Sequence, residues 1–334
     1  MMGEQTAREV VDLITGAWRT QALYSAVSLR LPDHVAAGSR TTAALALKTG
    51  TSEDGVRRLM RLLVALGVFD GEEETGYRPT SVSVALESGA AGSMRDMCLL
   101  YGQEFYRAWG HAQEAISASS PSFERACGRP LGEYLEHERG AGERFLRAMN
   151  AGNIFFEHLP RAFDFSGCSL VVDVGGGSGE LLSAVMRANP DVRGVLVDLH
   201  HMLAVAEEHL RATAGLDRVQ LVAGDIFASV PSGGDVYLLS RVLQDWDDDR
   251  CLRLLANCRR AMGRSSRLLV VERVVRDDGS AALPLLWDLH LLIVSGGRER
   301  TLDGYAGLLT EAGLRLEQTI DLPLETTALV ARPV

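Results

Sequence analysis

Hydrophobic positions along the chain change period twice. In residues 4–29, Val10, Leu13, Ile14, Ala17, Leu23 and Val27 recur at helical spacing while Trp18 and Tyr24 add large apolar surface, which predicts one or two amphipathic helices. After Pro32 and the Gly38-Ser39 pair, residues 42–48 read as a short helix, Gly50 as a turn and residues 52–66 as a longer helix. Ser52 opens that helix as its cap, with Gly55 where a capping box would carry an acid, and with Glu53 and Asp54 supplying the charge instead. Val68-Phe69, a polar turn over 71–76 and Tyr77 predict a β-hairpin, so helix, helix and hairpin follow in winged helix-turn-helix order. Residues 94–161 keep a helical period, broken near 119–121 and 128–130. From residue 170 short apolar runs alternate with helices, at 170–174, 195–197, 219–221, 236–239 and 268–271, with a final pair near 315–320 and 328–331. That alternation predicts a doubly wound, Rossmann-like α/β sheet whose ligands gather at the strands' carboxyl ends.

The stretch LVVDVGGGSGELL, from Leu170 to Leu182, places glycines where the first of these strands meets a helix expected to start at Ser178. A Walker loop needs a Lys-Ser/Thr pair after its glycines, and Glu180 follows Gly179. The dinucleotide fingerprint, read from Gly175 and Gly177, also puts Glu180 where a third small residue should lie beneath a diphosphate. A carboxylate there repels phosphates. A nucleoside without phosphates remains, and S-adenosylmethionine fits best because its amine and sulfonium are cationic and suit a carboxylate such as Asp173.

Two more acids close successive strands. Asp198 ends the second, where it can accept hydrogen bonds from ribose hydroxyls, and Asp225 ends the third in AGDIF, offering a carboxylate to an adenine amino group with Ile226 against the ring face. Ser240-Arg241 follows the fourth strand, and the acidic run from Gln244 to Asp249 opens the next helix.

Composition narrows the functional classes. With 46% hydrophobic and 23% charged residues the chain reads as ordinary globular protein, and 334 residues suffice for two domains with sizeable cores. A net charge of −10 argues against nonspecific binding to nucleic acid or an anionic membrane. A winged helix could still read DNA through Arg57, Arg58 and Arg61, but Glu53, Asp54 and Glu72–Glu74 would face the same phosphates. Five cysteines without a CxxC pair indicate reduced thiols and no metal site. With neither a secretory pattern at the start nor an apolar run near the ~20 residues that span a bilayer, a cytoplasmic location is expected.

VVDVGGGSGELL, GDIF, LSRVLQDWDDDRC, VVERVV and GGRERT together resemble the successive motifs of the S-adenosylmethionine-dependent small-molecule O-methyltransferases of the caffeate and polyketide type. The likeness covers essentially the whole chain and looks nearest to the bacterial phenazine methyltransferases, which share the run at Asp96 to Phe105 and YLLSR at Tyr237 to Arg241. It implies a winged-helix domain over 1–95 that intertwines two chains into a homodimer, a helical substrate region over 96–165 and a methyltransferase domain over 166–334. In that family the acidic motif carries a histidine base, and Gln244 stands in its place here; an amide cannot take a proton at neutral pH. The two carboxylates that flank the family's base correspond to Glu272 and Glu299. The candidate cofactor contacts, at the glycine turn and the strand ends, are Asp173, Gly175, Gly177, Asp198, Asp225, Ile226, Ser240 and Arg241. Tyr101, Tyr106, Trp109, Met149, Asn153, Phe156, Trp287 and His290 are the candidate contacts for a flat aromatic substrate, about half the aromatic residues of the helical region being core. The expected reaction is methylation of a phenazine hydroxyl or N-hydroxyl. Ring N-methylation, a relative that uses the cofactor without methyl transfer, and a ligand-sensing regulator stay open as alternatives.

Overall fold

The computed structural model describes residues 3–151, 153–276 and 282–334. They form two compact units: one takes the chain up to Arg107 and again from Tyr134 through residue 151, the other takes Ala108–Glu133 and the chain from Asn153 on.

The first unit opens with one helix, Glu4–Ser28, that buries Ala22, Ala26 and Val27 and leaves Val10, Leu13, Ile14 and Trp18 exposed. Helices Thr42–Thr49 and Glu53–Ala65 follow, and the Ser52 hydroxyl accepts the Gly55 N–H at 3.4 Å, so the cap forms without an acid at its third position. Strands β1 (Phe69–Asp70) and β2 (Arg78–Pro79) pair antiparallel, one residue later than the hydrophobic pattern suggested. Leu31, Leu45, Met60, Leu63, Phe69 and Tyr77 pack into the core of this unit. Arg57, on the helix that would enter a DNA groove, is instead paired with Glu53 at 2.9 Å and Glu73 at 3.0 Å.

The helical stretch is broken more often than its period implied. It divides into Arg95–Gly102, Glu104–Trp109, Ala112–Ala118, Phe123–Cys127, Leu131–His137, Ala141–Asn150 and Phe155–Ala162. Left-handed residues at Ser119, Gly128 and Gly140 end or open several of these pieces, which hydrophobic spacing alone does not register.

In the second unit β3 (Leu170–Val174), β4 (Arg193–Asp198), β5 (Val219–Ala223), β6 (Val236–Ser240) and β7 (Arg267–Val275) run parallel in the order β5-β4-β3-β6-β7. The two-residue strand β8 (Arg300–Thr301) adds to β7. The last pair, β9 (Leu314–Leu322) and β10 (Thr326–Pro333), is an antiparallel hairpin with β10 inserted between β7 and β9. Side chains alternate along the strands into two cores, Val172 and Val174 on one face and Val171 on the other. The sequence's doubly wound sheet is therefore the observed one, and its carboxyl ends carry the candidate site.

Candidate active site

Beyond β3 the chain turns through Gly175, Gly177 and Gly179, all with positive φ. Gly179, at φ 77°, caps the helix Glu180–Ala188, which therefore starts two residues later than its hydrophobic pattern indicated. The turn is tied across the sheet: Gly175 N–H donates to the Val197 carbonyl at 2.9 Å, and Gly177 N–H to Asp198 Oδ2 at 2.8 Å. The other Asp198 oxygen accepts the Leu199 N–H at 2.7 Å. Burial pushes the Asp198 carboxyl up while these two amides pull it down. Asp173 lies buried on β3, where desolvation, with help from the Asp198 charge, raises its carboxyl to about 7.

These groups fit a cationic, phosphate-free nucleoside. Asp173 Oδ2 and the Ser240 hydroxyl are buried with no hydrogen-bond partner among the described residues, and a buried acceptor of this kind calls for a ligand or water. A Cβ on Gly175 would come within 3.2 Å of Val242 and 3.6 Å of Ile226, so the bare glycine leaves room beside both. Asp225 is exposed, and one of its oxygens closes the AGDIF turn by accepting the Phe227 N–H at 2.8 Å. That employs half of the carboxylate on which adenine recognition was expected to depend.

At the ends of β6 and β7 the chain builds a second, more acidic cluster. Arg241 adopts φ 56°, uncommon for a residue with a side chain, while its N–H bonds the Val271 carbonyl at 3.0 Å and extends the β6-β7 ladder. Gln244 follows in a single tight turn, Leu243–Asp245, and the acidic run starts its helix only at Asp248, capped by Asp247. Glu272 is fully buried and spends one oxygen on the backbone of that turn, accepting Val242 N–H at 3.0 Å and Leu243 N–H at 2.9 Å. Its other oxygen, both oxygens of Glu299, the Gln244 Oε1 and the Tyr305 hydroxyl are buried without a hydrogen-bond partner among the described residues. Burial drives both glutamates up, Glu272 well above the carboxylate range with the charges of Glu299 and Asp245 adding, and Glu299 to about 7 despite Arg273 and Arg241.

The GGRERT segment holds Gln244 from outside. Arg298 N–H donates to the Gln244 carbonyl at 2.8 Å, and any side chain on Gly297 would collide with that oxygen. The buried Arg300 guanidinium reaches the carbonyls of Leu243 at 3.1 Å and Trp246 at 2.8 Å and pairs with Asp248 at 2.6 Å.

Among the aromatic candidates, Trp109 Nε1 donates to His290 Nδ1 at 3.0 Å. Trp287 meets the His290 ring edge-on at 5.5 Å, and the Arg273 guanidinium lies over Trp287 at 4.4 Å. Asn153 accepts from Arg241 at 3.1 Å. These residues form one cluster. Phe156 stands apart: it is buried with Phe155, Leu159, Leu182 and Met186 in the core under the sheet. In the first unit Tyr101 packs edge-on against Phe105 at 4.9 Å, Tyr106 is exposed and Met149 is half-buried. Sequence reasoning passed over Arg273, Arg300 and Tyr305. A charged residue inside the apolar run VVERVV demands a buried partner, and that was the available signal for Arg273, whose guanidinium faces Glu299 at 3.9 Å.

Known proteins resemble this chain along its length. Residues 109–315 match the O-methyltransferase domain and residues 11–88 the O-methyltransferase dimerisation domain. The chain is 43% identical to a phenazine-1-carboxylate N-methyltransferase of Pseudomonas aeruginosa over 97% of either chain. It is 42% identical to a 3-amino-4-hydroxybenzoate 4-O-methyltransferase of Streptomyces cremeus, over 98% of this chain and 90% of that one. The solved structure of human N-acetylserotonin methyltransferase in complex with S-adenosylmethionine superimposes with a TM-score of 0.91 at 28% identity, covering 99% of both chains. By domain match and by identity along its length, the chain belongs to the O-methyltransferase family.

Proposed function

We propose that this protein is an S-adenosylmethionine-dependent methyltransferase acting on a phenazine-type aromatic heterocycle, at a hydroxyl or N-hydroxyl. The observation that carries the cofactor is the unpartnered Asp173 oxygen beneath a glycine turn that Asp198 holds in place. When bound, the cofactor supplies an electrophilic methyl on a sulfonium. Asp173 offers a counter-charge to its cationic part, Asp198 and Asp225 accept hydrogen bonds, and Ile226 and Val242 line the apolar side.

The chain's own contribution to rate is alignment, and positioning alone supplies ~7–11 kcal/mol. Gln244 offers no base, so the acceptor that suits this site loses its proton easily or has none to lose. That favours an acidic N-hydroxyl, an ionised phenol or a ring nitrogen, and ring N-methylation is the second reading, supported by the Pseudomonas relative's named activity. The relatives' named substrates are both aromatic carboxylates. We further infer a homodimer built on the amino-terminal residues 1–95, with 96–165 contributing to substrate binding and 166–334 to cofactor binding.

A radiolabelled methyl-transfer assay over phenazines bearing a hydroxyl, an N-hydroxyl or a bare ring nitrogen, with the methylated atom assigned by NMR, tests the reading. Methyl transfer to none of them, with duplex DNA bound in a salt-dependent manner, would replace it with the regulator.

A further inference from the structure

The two side chains that a Cβ on Gly175 would meet belong to separate turns: Ile226 to the AGDIF turn after β5, and Val242 to the stretch that leads into the Gln244 turn. The helix Asp248–Ala261 is built onto both. At its start the Trp246 ring meets Phe227 edge-on at 5.0 Å. Further along, Arg253 Nε donates to the Phe227 carbonyl at 2.9 Å, and four residues later Asn257 Nδ2 donates to the Ile226 carbonyl at 2.8 Å. Cys251, Leu254, Leu255 and Cys258 anchor this helix in the core with Val174 and Tyr237, so packing fixes the element that carries the two donors.

Asn257 is the buried member of the pair, 4% exposed. Its amide could face either way, but the Arg260 guanidinium can only donate and takes Oδ1, which turns the amide nitrogen toward Ile226. The turn's other bonds are mostly internal. Asp225 accepts the Phe227 N–H on its side chain at 2.8 Å, and the N–H groups of Ala228 and Ser229 on its carbonyl at 2.8 and 3.1 Å. Bonds within 225–229 shape the turn without setting where it stands beside the glycines. Its place is set at one end by the Gly224 N–H, which donates to the Asp198 carbonyl at 3.0 Å, and at the tip by the helix.

We propose that Asn257, with Arg253 beside it, is a positioning residue for the adenine end of the cofactor: it holds the AGDIF turn so that the Asp225 carboxylate reads the amino group of the base while Ile226 lies against the ring. The inference rests on the methyltransferase reading for its ligand, while the hold on the turn stands without it.

The test has two arms. The first is hydrogen exchange in the ligand-free protein. In Asn257→Leu the Phe227 and Ala228 amides should exchange about tenfold faster than in the wild type, with the amides of β5 unchanged. Equal exchange at Phe227 and Ala228 in the two proteins overturns the hold.

The second arm is calorimetric binding of S-adenosylhomocysteine and of S-inosylhomocysteine, in which a carbonyl replaces the amino donor of the base. The wild type should prefer the adenine form, and Asn257→Leu should narrow that preference about fivefold or more, because a carboxylate on a loosened turn no longer meets the amino group. Arg253→Ala, whose side chain is exposed, should narrow it in the same direction and carries the comparison should Asn257→Leu not fold. Equal weakening of both nucleosides, or an unchanged preference in Arg253→Ala, means that the helix only packs, and the proposal falls. A wild type that binds neither nucleoside while the exchange difference holds counts against the cofactor reading itself, and the positioning role falls with it.

Discussion

Asp198 accepts the main-chain N–H of Gly177 at 2.8 Å, so the end of one parallel strand and the glycine turn after its neighbour hold each other in place. In the proposed cofactor site the carboxylate would act both as a hydrogen-bond acceptor and through the turn. Asp198→Ala should weaken S-adenosylmethionine binding by roughly 1.5–3 kcal/mol, the range for hydrogen bonds that involve a charge. Titration calorimetry giving an unchanged affinity would remove Asp198 from the cofactor site.

Asp173 should make cofactor binding and stability depend on pH in opposite ways. Its carboxyl stands at about 7 in the fold, above an ordinary 3.8. The folded chain thus holds a proton that the unfolded chain has shed, and this contribution is complete below pH ~4 and lost as pH rises through ~7. The ligand-free protein should accordingly unfold at lower denaturant concentration at pH ~8 than at pH ~6, with Asp173→Asn flattening the difference. A cationic ligand favours the ionised form, so binding at pH ~7 should release protons and tighten with rising pH. Calorimetry in buffers of different ionisation enthalpy reads that release, and its absence would show that Asp173 does not face the cation.

Glu272 should matter through the backbone it holds. Glu272→Ala strands the Val242 and Leu243 N–H groups, at a cost of about 1–3 kcal/mol each, and loosens the turn that carries Gln244. Glu272→Gln keeps a carbonyl for both amides and is uncharged, like the protonated carboxyl that burial favours, so it should unfold no earlier than the wild type. Thermal unfolding of the two variants separates them. If the glutamine variant is as unstable as the alanine variant, the charge itself is needed.

Gln244→Ala should reduce turnover by less than the 10²- to 10⁴-fold expected for a general base. The rate should then follow the acceptor's own ionisation, climbing with pH well above neutrality for a phenol of pKa about 10 and levelling off sooner for an N-hydroxyl. Gln244→His should help the less acidic acceptor more. Turnover against pH for two acceptors is the measurement, and one enzyme-owned pKa shared by both would reveal a base elsewhere, with Glu299, at about 7, the first to substitute.

The exposed residues of Glu4–Ser28 should close a dimer. Leu13 is 82% and Trp18 66% exposed, which is apolar surface that a lone chain leaves in water. Trp18→Glu with Leu13→Glu should shift sedimentation from a dimer toward a 36.2 kDa species. A wild type that already sediments as that species at micromolar concentration would contradict the assignment.

Local features were legible in the sequence. The glycine turn, the acids at Asp198 and Asp225 and the strand series follow from short-range spacing, and each lies where the pattern put it. The long-range ones were not. Trp109 and His290 are 181 residues apart, and nothing local distinguishes their hydrogen bond from two buried aromatic rings. Glu272 reads from sequence as a strand-end charge, and only the fold shows it accepting two amides of another loop. Phe156 illustrates the opposite error, since an aromatic ring in a helical stretch looks the same whether it lines a ligand site or fills the core.

The insertion of β10 between β7 and β9 sets an order on how the nascent chain assembles. As translation proceeds, β9 leaves the ribosome before β10, the strand it pairs with among the described residues, and the far edge of β7 is equally unserved until β10 follows. For that interval two strands offer unpaired edges to any other polypeptide nearby, the condition that chaperones guard and that favours wrong pairing at high expression. The connection between β9 and β10 is three residues, 323–325, with Leu324 and Glu325 both in the left-handed region. Substitutions there that favour the left-handed backbone, such as Leu324→Asn or Glu325→Gly, would speed closure of the hairpin and raise soluble yield without touching the site.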